Sequence, residues 1–192
     1  MVAKDGQLSI RKLKYTDYDF SLLYKWLNDE QVQSYYEGKS VKNTREQIHE
    51  KFGRRALGED EVIPCIIEFD CRPIGYLQYY PLEMDEIHDY GAKEDQPQYG
   101  IDLFIGELEY WNQGIGTKTI KVIIKFLFEE QEVQDIYIDP LTWNARAIRC
   151  YEKCGFKKVK VLPKRELHDG EYKDNQIMKL SKDEFQGSER NC

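Results

Sequence analysis

The chain has 192 residues, of which 41% are hydrophobic, enough to fill the core of one ordinary domain. Its 35 acidic residues outnumber the 28 basic ones, and the resulting net charge of -7 argues against a nucleic-acid partner and favours cationic ligands. No stretch is apolar for long enough to span a bilayer, and residues 1–12 lack the apolar core of a signal peptide, so we expect a cytoplasmic protein without membrane contact.

The N-terminal half alternates between helix and strand patterns. Residues 8–12 are predicted as a strand, and residues 17–27 as a helix with its apolar side chains on one face. A second helix is predicted to open at Thr44, with Gln47 in the capping-box position. Three β-rich runs follow at 62–69, 73–80 and 99–105, and the acidic run between the last two, 82–97, is predicted as a loop.

The C-terminal half continues the pattern as a mixed α/β chain. A helix over 117–130 and a short buried strand over 136–138 predict a crossover connection. A helix over 144–154 and strands near 156–162 and 176–180 complete the domain. No repeat or linker divides the chain, so we expect one domain over 1–182 and a polar, frayed tail over 183–192.

The segment Tyr110-Trp111-Asn112-Gln113-Gly114-Ile115-Gly116-Thr117 stands at the head of the strongest amphipathic helix. Two glycines allow close approach of the backbone, and the N–H groups of a first helical turn bind an anion such as a pyrophosphate. On its own, a glycine-softened turn without a ligand explains the pattern equally well.

A second motif, Asn144-Ala145-Arg146-Ala147-Ile148-Arg149-Cys150-Tyr151-Glu152-Lys153-Cys154-Gly155-Phe156, lies downstream. With the glycine loop it resembles the GNAT acetyltransferases, although Trp111 stands where that family usually has Gln or Arg. The resemblance implies a GNAT fold: a central mixed, mostly antiparallel sheet, splayed at the acetyl-CoA site and flanked by helices. It implies acetyl-CoA as cosubstrate and no metal, with the cofactor bound by Leu103, Phe104, Ile105, Gln113, Gly114, Ile115, Gly116, Thr117, Lys118, Asn144, Ala147 and Tyr151.

A closer resemblance, to the aminoglycoside 6′-N-acetyltransferases, covers nearly the whole chain. It includes Lys25-Trp26-Leu27, Tyr99-Gly100-Ile101-Asp102 and Asp139-Pro140, besides both motifs above. It implies direct transfer of an acetyl group to the 6′-amine of an aminoglycoside antibiotic, and hence resistance; we expect a monomer rather than a homodimer. The alternatives are a protein or ribosomal-protein N-acetyltransferase and a CoA-binding regulatory module without turnover.

Two residues are expected to move protons. Asp102 interrupts an apolar strand, where a charge is costly unless it is paired or functional, and an ammonium group must lose a proton before it can attack a thioester. By resemblance Asp102 is the general base, with a salt bridge or a binding role as alternatives, and Tyr151 returns a proton to the CoA thiolate, with a core position as its alternative. The resemblance also implies a bulged strand whose N–H near Leu103 or Phe104 stabilises the oxyanion.

The same resemblance, with the charge pattern, assigns a second set of residues to the cationic substrate. The alternatives are a helix core for the aromatic residues, a turn for Asp139 and a solvated loop for the acidic run. The set is Tyr36, Phe52, Asp85, Glu86, Asp102, Asp139, Glu166 and Asp169, and Asp89 is an alternative to the two acids of the 82–97 run. Cys150 and Cys154, one helical turn apart without further ligands, are expected to pack rather than to hold zinc.

Overall fold

A mixed β-sheet runs through the described residues, 1–189, of the computed structural model. These residues form eight strands: β1 (Ala3–Asp5), β2 (Leu8–Lys12), β3 (Ile63–Phe69), β4 (Arg72–Pro81), β5 (Gln98–Ile105), β6 (Asp135–Ile138), β7 (Lys157–His168) and β8 (Glu171–Ser181). They lie side by side in the order β1-β2-β3-β4-β5-β6-β8-β7, and every neighbouring pair is antiparallel except β5 and β6. The predicted mixed, mostly antiparallel sheet is confirmed.

Helices flank the sheet and close its apolar faces. They are α1 (Asp17–Trp26), α2 (Glu30–Gln33), α3 (Arg45–Leu57), α4 (Met84–Tyr90), α5 (Ile115–Glu129), α6 (Ala145–Lys153) and α7 (Lys182–Glu189). The predicted capping box at the start of α3 is present: Gln47 N–H donates to Thr44 Oγ1 at 3.2 Å, and Thr44 N–H donates to Gln47 Oε1 at 2.8 Å. No helix of residues 1–189 is long and apolar enough to cross a membrane.

The core divides between the two faces of the sheet. Successive side chains of a strand point to opposite faces, so Ile66 packs with α1 and α3 while Ile67 packs with α5. In the same way Tyr76 and Leu77 of β4 belong to different clusters. The sheet therefore lies between two layers of packed side chains.

Two predicted irregular segments are helical. The acidic run contains α4, which Glu83 and Glu86 open with a capping box and Gly91 ends in a left-handed conformation with a φ of 68°. The segment after Lys182 forms α7, because Phe185 gains a contact with Phe128 of α5, with ring centroids 5.3 Å apart. Residues 190–192 of the expected tail lie outside the described residues.

The last two strands are longer than predicted and form one hairpin. Polar residues at 163–175 obscured the strand pattern, but β7 and β8 pair across this stretch, from Glu166↔Lys173 to His168↔Glu171. The turn is made by Asp169 and Gly170, both with positive φ. Glu166 therefore lies on a strand and Asp169 in a tight turn, rather than both in a loop.

The sheet parts between β5 and β6. These strands pair only from Gln98↔Asp135 to Gly100↔Tyr137, whereas β5 stays paired with β4 as far as Ile105. Residues 102–105 therefore present an edge that β6 does not cover. This is the splay expected between the strands that carry Asp102 and Asp139.

Candidate active site

The splay opens a cleft of 770 Å³ between β5, the start of α5 and helix α6. Most residues that the sequence assigned to the site lie on its walls. They are Tyr36, Asp102, Leu103, Phe104, Ile105, Gly114, Ile115, Gly116, Thr117, Asp139, Asn144, Ala147, Tyr151 and Glu166.

One end of the cleft is the N-terminus of α5. Gly114 caps this helix in a left-handed conformation, with a φ of 77° that favours glycine and with no side-chain cap. Because the first helical hydrogen bond runs from Lys118 N–H to Gly114 O, at 3.0 Å, the N–H groups of residues 115–117 have no partner within the helix. A Cβ at Gly116 would meet only Cys150 Sγ, at 3.9 Å. The turn is therefore an open cradle for an anion.

Helix α6 adds positive charge to the same end. Asn144 caps the helix by accepting the Ala147 N–H at 3.2 Å, and this cap fixes the first turn against the cleft. Arg146, Arg149 and Lys153 line the cleft from the exposed side of α6. In residues 1–189 none of these three cations has a carboxylate within 4.0 Å, so their charge remains available to a ligand.

Arg146 also connects the two sides of the cleft. Its guanidinium carbon lies 4.3 Å from the ring centroid of Tyr35 and 4.2 Å from that of Trp111. Trp111 in turn donates its indole N–H to Ile105 O at 2.8 Å. The tryptophan thus anchors the glycine loop to the end of β5. Sequence reasoning missed the arginines and Lys153, although their spacing on α6 places them on one helical face.

The opposite end of the cleft is acidic, and Asp102 of β5 is one of its carboxylates. Asp102 Oδ2 accepts the amide of Gln78 at 2.7 Å, and Gln78 Oε1 accepts from Tyr76 and Arg55 at 2.8 and 2.9 Å. Burial raises the pKa of Asp102, and hydrogen bonds from Gln78 and Tyr80 oppose this in part. Its side chain still lines the cleft, so it is desolvated yet accessible.

Asp139 and Glu166 face the same space from the far side of the splay. Asp139 Oδ2 accepts the Tyr90 hydroxyl at 3.3 Å and lies 3.5 Å from Arg165 Nε. Burial raises the pKa of Asp139, and the charge of Asp102 raises it further. Glu166 accepts the Asn175 amide at 3.0 Å, and burial raises its pKa as well.

A fourth carboxylate, Glu37, was not predicted from the sequence, because it follows Tyr36 in a short polar segment. It lines the cleft while its Oε1 accepts Lys51 Nζ at 2.7 Å. Tyr36 beside it packs against Phe104, with ring centroids 4.8 Å apart.

Tyr151 of α6 lies between the two ends and is only 9% exposed. Burial raises the pKa of its phenol, so the hydroxyl stays protonated. Next to it, Cys150 Sγ lies 3.3 Å from Thr117 Oγ1, and Cys154 Sγ lies 3.5 Å from Thr117 O. Both cysteines are free thiols that pack α6 against the start of α5.

Three predicted site residues lie elsewhere for clear physical reasons. Phe52 of α3 is 1% exposed and packs edge-on against Tyr76, so it has no free face for a sugar ring. The Gln113 side chain turns back to Glu109 O. Lys118 uses its backbone N–H within α5 and directs its ammonium group to Asp5, at 3.6 Å.

The remaining predicted acids are near the site but outside the cleft. Asp85 is exposed on the first turn of α4. Glu86 lines a second cavity of 460 Å³, which shares Tyr80 with the cleft. Asp169 accepts the Ser40 N–H at 2.9 Å and so stabilises the turn between β7 and β8.

The expected strand bulge near Leu103 and Phe104 is absent from the β4–β5 pair, whose register is continuous from residue 99 to residue 105. The splay exposes this edge of β5 without a bulge. In residues 1–189 no group of three or more His, Cys, Asp or Glu side chains is arranged to hold a metal ion.

A splayed mixed sheet with a glycine-led helix at the mouth of the splay is the architecture of an N-acetyltransferase. Residues 16–163 match the model of the acetyltransferase (GNAT) domain. The chain belongs to the GNAT acetyltransferase family.

Several individual proteins are similar to this chain. The chain is 33% identical, over 144 residues, to an aminoglycoside N(6′)-acetyltransferase type 1 of Klebsiella pneumoniae, which covers 74% of this chain and 71% of the relative. It is 25% identical to the crystallised aminoglycoside acetyltransferase AAC(6′)-Ib in complex with coenzyme A, with a TM-score of 0.74 over 95% of this chain and 99% of that one. A spermidine N-acetyltransferase of Vibrio cholerae, 17% identical with a TM-score of 0.77 over 95% of this chain and 99% of that one, shares the fold.

Proposed function

We propose that the protein is an aminoglycoside 6′-N-acetyltransferase that takes its acetyl group from acetyl-CoA and thereby confers antibiotic resistance. The observation that carries this proposal is the separation of positive and negative charge between the two ends of one cleft. Arg146, Arg149 and Lys153, which have no ion-pair partner within residues 1–189, line one end with the N-terminus of α5, whose cap residue Gly114 has no side chain; Asp102, Asp139, Glu166 and Glu37 line the other end. An anionic acyl donor and a polycationic acceptor fit these two ends.

The cationic end suits the phosphates of acetyl-CoA. The N–H groups of residues 115–117 suit the pyrophosphate, and Arg146, Arg149 and Lys153 suit the remaining phosphate. The free edge of β5, at 103–105, offers backbone hydrogen bonds along the splay. When bound, acetyl-CoA supplies an acetyl group activated as a thioester. The relatives support this, since AAC(6′)-Ib has been crystallised with coenzyme A.

The acidic end suits an amine that carries several other positive charges. Asp102 is placed to accept the proton of the attacking ammonium group, because burial raises its pKa towards the range in which a carboxylate is an effective base. Asp139 and Glu166 bind further ammonium groups and hold the acceptor in register. Kanamycin is an example of such an acceptor, and AAC(6′)-Ib has been crystallised with coenzyme A and kanamycin.

Tyr151 is placed to donate a proton. In residues 1–189 its hydroxyl has no hydrogen-bond partner, and because burial raises its pKa the hydroxyl carries its proton when the reaction begins. That proton can pass to the thiolate as it departs. Asp102 therefore acts as the base towards the amine that accepts the acetyl group, and Tyr151 acts as the acid towards the thiolate of coenzyme A.

Localisation, assembly and domain limits belong to the same proposal. Within residues 1–189, Cys65, Cys71, Cys150 and Cys154 form no disulfide, which suits the reducing cytoplasm. We infer one catalytic domain over 1–182, extended by α7, and a monomer, because the acids and cations of the cleft come from one chain.

The test is thiol release from acetyl-CoA with three classes of acceptor: kanamycin, spermidine and a peptide with a free N-terminus. The proposal predicts turnover with kanamycin and a much lower kcat/KM with the other two. Preference for the peptide would indicate a protein N-acetyltransferase. Coenzyme A binding without thiol release from any acceptor would indicate a regulatory module.

A further inference from the structure

Arg165 of β7 lies beside the acidic end of the cleft and contacts three carboxylates. Its NH1 lies 2.8 Å from Asp89 Oδ2, its NH2 3.8 Å from Glu86 Oε1, and its Nε 3.5 Å from Asp139 Oδ2. The first two acids belong to α4, and Asp139 belongs to the cleft. One guanidinium thus joins the acidic helix to a carboxylate of the proposed acceptor site.

The ring of Tyr90 completes this arrangement. Arg165 NH2 donates to the Tyr90 hydroxyl at 3.2 Å, and its guanidinium carbon lies 5.0 Å from the centroid of that ring. The same hydroxyl donates to Asp139 Oδ2 at 3.3 Å. Asp139 therefore has an ion-pair partner in Arg165 and a neutral hydrogen-bond donor in Tyr90. Arg165 itself is not on the cleft wall, so it acts on a ligand only through Asp139 and α4.

Asp139 needs such support because its other neighbours oppose its charge. Asp102 and Glu166 are like charges that raise the pKa of Asp139, and burial raises it most, whereas Arg165 and the Tyr90 hydroxyl lower it. The phenols of Tyr80 and Tyr151 and the amide of Asn175 complete the polar groups around this carboxylate. Arg165 is the cation among these groups.

We propose that Arg165 is a positioning residue for the acceptor: it favours the charged form of the Asp139 carboxylate and holds that carboxylate at the cleft, so that Asp139 can bind an ammonium group of the substrate. The inference rests on the proposed function for the nature of that substrate. The inference goes beyond the proposed function because it assigns to Arg165 the pH range over which Asp139 is charged and can bind an ammonium group.

Three variants separate the charge of Arg165 from its structural contacts. Arg165→Gln removes the charge but keeps a hydrogen-bonding side chain, and Arg165→Lys keeps the charge but loses the planar fork. Asp89→Asn weakens the shortest contact to α4 and leaves the contact between Arg165 and Asp139 in place. Circular dichroism establishes that each variant is folded.

The first readout is independent of turnover. Carbon-13 NMR of labelled aspartate carboxyls, with the Asp139 signal assigned from Asp139→Asn, gives the titration midpoint of that residue. We expect the midpoint to rise in Arg165→Gln, to stay near the wild-type value in Arg165→Lys, and to change little in Asp89→Asn. An unchanged midpoint in Arg165→Gln would overturn the proposal.

The second readout is the KM for kanamycin as a function of pH. A rise of one unit in the pKa of Asp139 would raise the KM of Arg165→Gln by up to about tenfold below neutral pH, and the ratio to wild type would approach one at high pH. The kcat at saturation should fall less than the KM rises. If the ratio of the KM of Arg165→Gln to that of the wild type were constant across pH, Arg165 would have a structural role only, which would contradict the proposal. An inactive wild type would refute the proposed function, while the carboxyl titration would still decide the role of Arg165.

Discussion

Asp102 is the residue that accepts the proton of the attacking amine in the proposed reaction. Burial favours its neutral form, and the proton taken from the attacking amine must pass to it or to a water beside it. Because the raised pKa brings protonation closer to neutral pH, kcat should fall as the pH falls through that pKa, at a higher pH than for an ordinary exposed carboxylate.

Replacing Asp102 tests this directly. Asn keeps the acceptor oxygen that Gln78 contacts, so Asp102→Asn should fold normally and lose on the order of 10² to 10⁴ in kcat, with the acid limb of the kcat profile abolished. Asp183→Asn, on the exposed first turn of α7, is the matched control. A loss confined to KM, with the acid limb retained, would assign Asp102 to binding alone.

Tyr151 offers a second residue-scale prediction. Tyr151→Phe should lower kcat with little change in the KM for kanamycin, because the phenol acts on the departing thiolate rather than on the amine. Tyr79→Phe is a suitable control, since Tyr79 is also buried but packs against Phe126 away from the cleft. Equal kcat values for the two variants would make Tyr151 a core residue.

At this scale the sequence predicted the residues that belong to continuous motifs. Asp102, Asp139 and Tyr151 each lie in a recognisable local pattern, and all three line the cleft; their roles remain predictions. Phe52 was misplaced because an aromatic residue on an amphipathic helix looks the same whether it faces the core or a ligand. Arg165 was not predicted because its partners lie on α4 and directly after β6, distant in sequence.

At the scale of elements, the start of α5 decides cofactor binding. An Asp at position 116 suits the first turn of a helix, and its Cβ would meet only Cys150 Sγ, at 3.9 Å, so the fold should tolerate it. Its charge would occupy the anion cradle. Gly116→Asp should therefore weaken coenzyme A binding in calorimetry, whereas Gly116→Ala should weaken it much less. Equal affinities of Gly116→Asp and wild type for coenzyme A would show that the N-terminus of α5 does not bind the cofactor.

The boundaries of most elements could be predicted from local signals. Strands β2 to β6 and helices α1, α3, α5 and α6 lie within a few residues of the expected positions. Helix α4 was missed because its composition is that of a solvated loop, and its stability depends on a capping box and on packing of Tyr90 against Tyr137 of β6. The full length of the β7–β8 hairpin depends likewise on pairing between two polar strands, which no periodicity reveals.

At the scale of the whole molecule, the net charge of -7 is distributed unevenly. Acids collect at one end of the cleft and on α4, and unpaired cations collect at the other end. Composition could predict the sign of the charge on the preferred substrate. It could not predict this separation of charges, which arises only when β5, β7 and α6 meet around the splay. The separation allows an acidic protein to hold an anionic donor and a cationic acceptor in one cleft.

The central claim is that this cleft transfers an acetyl group to the 6′-amine of an aminoglycoside. The most direct measurement is thiol release from acetyl-CoA with two aminoglycosides that differ only in carrying a 6′-amino or a 6′-hydroxyl group, together with NMR assignment of the acetylated position. The account predicts rapid turnover and a single 6′-acetamide product for the first compound, and no N-acetylated product for the second. Equal rates of N-acetylation for the two compounds, or acetylation at another amine, would contradict it.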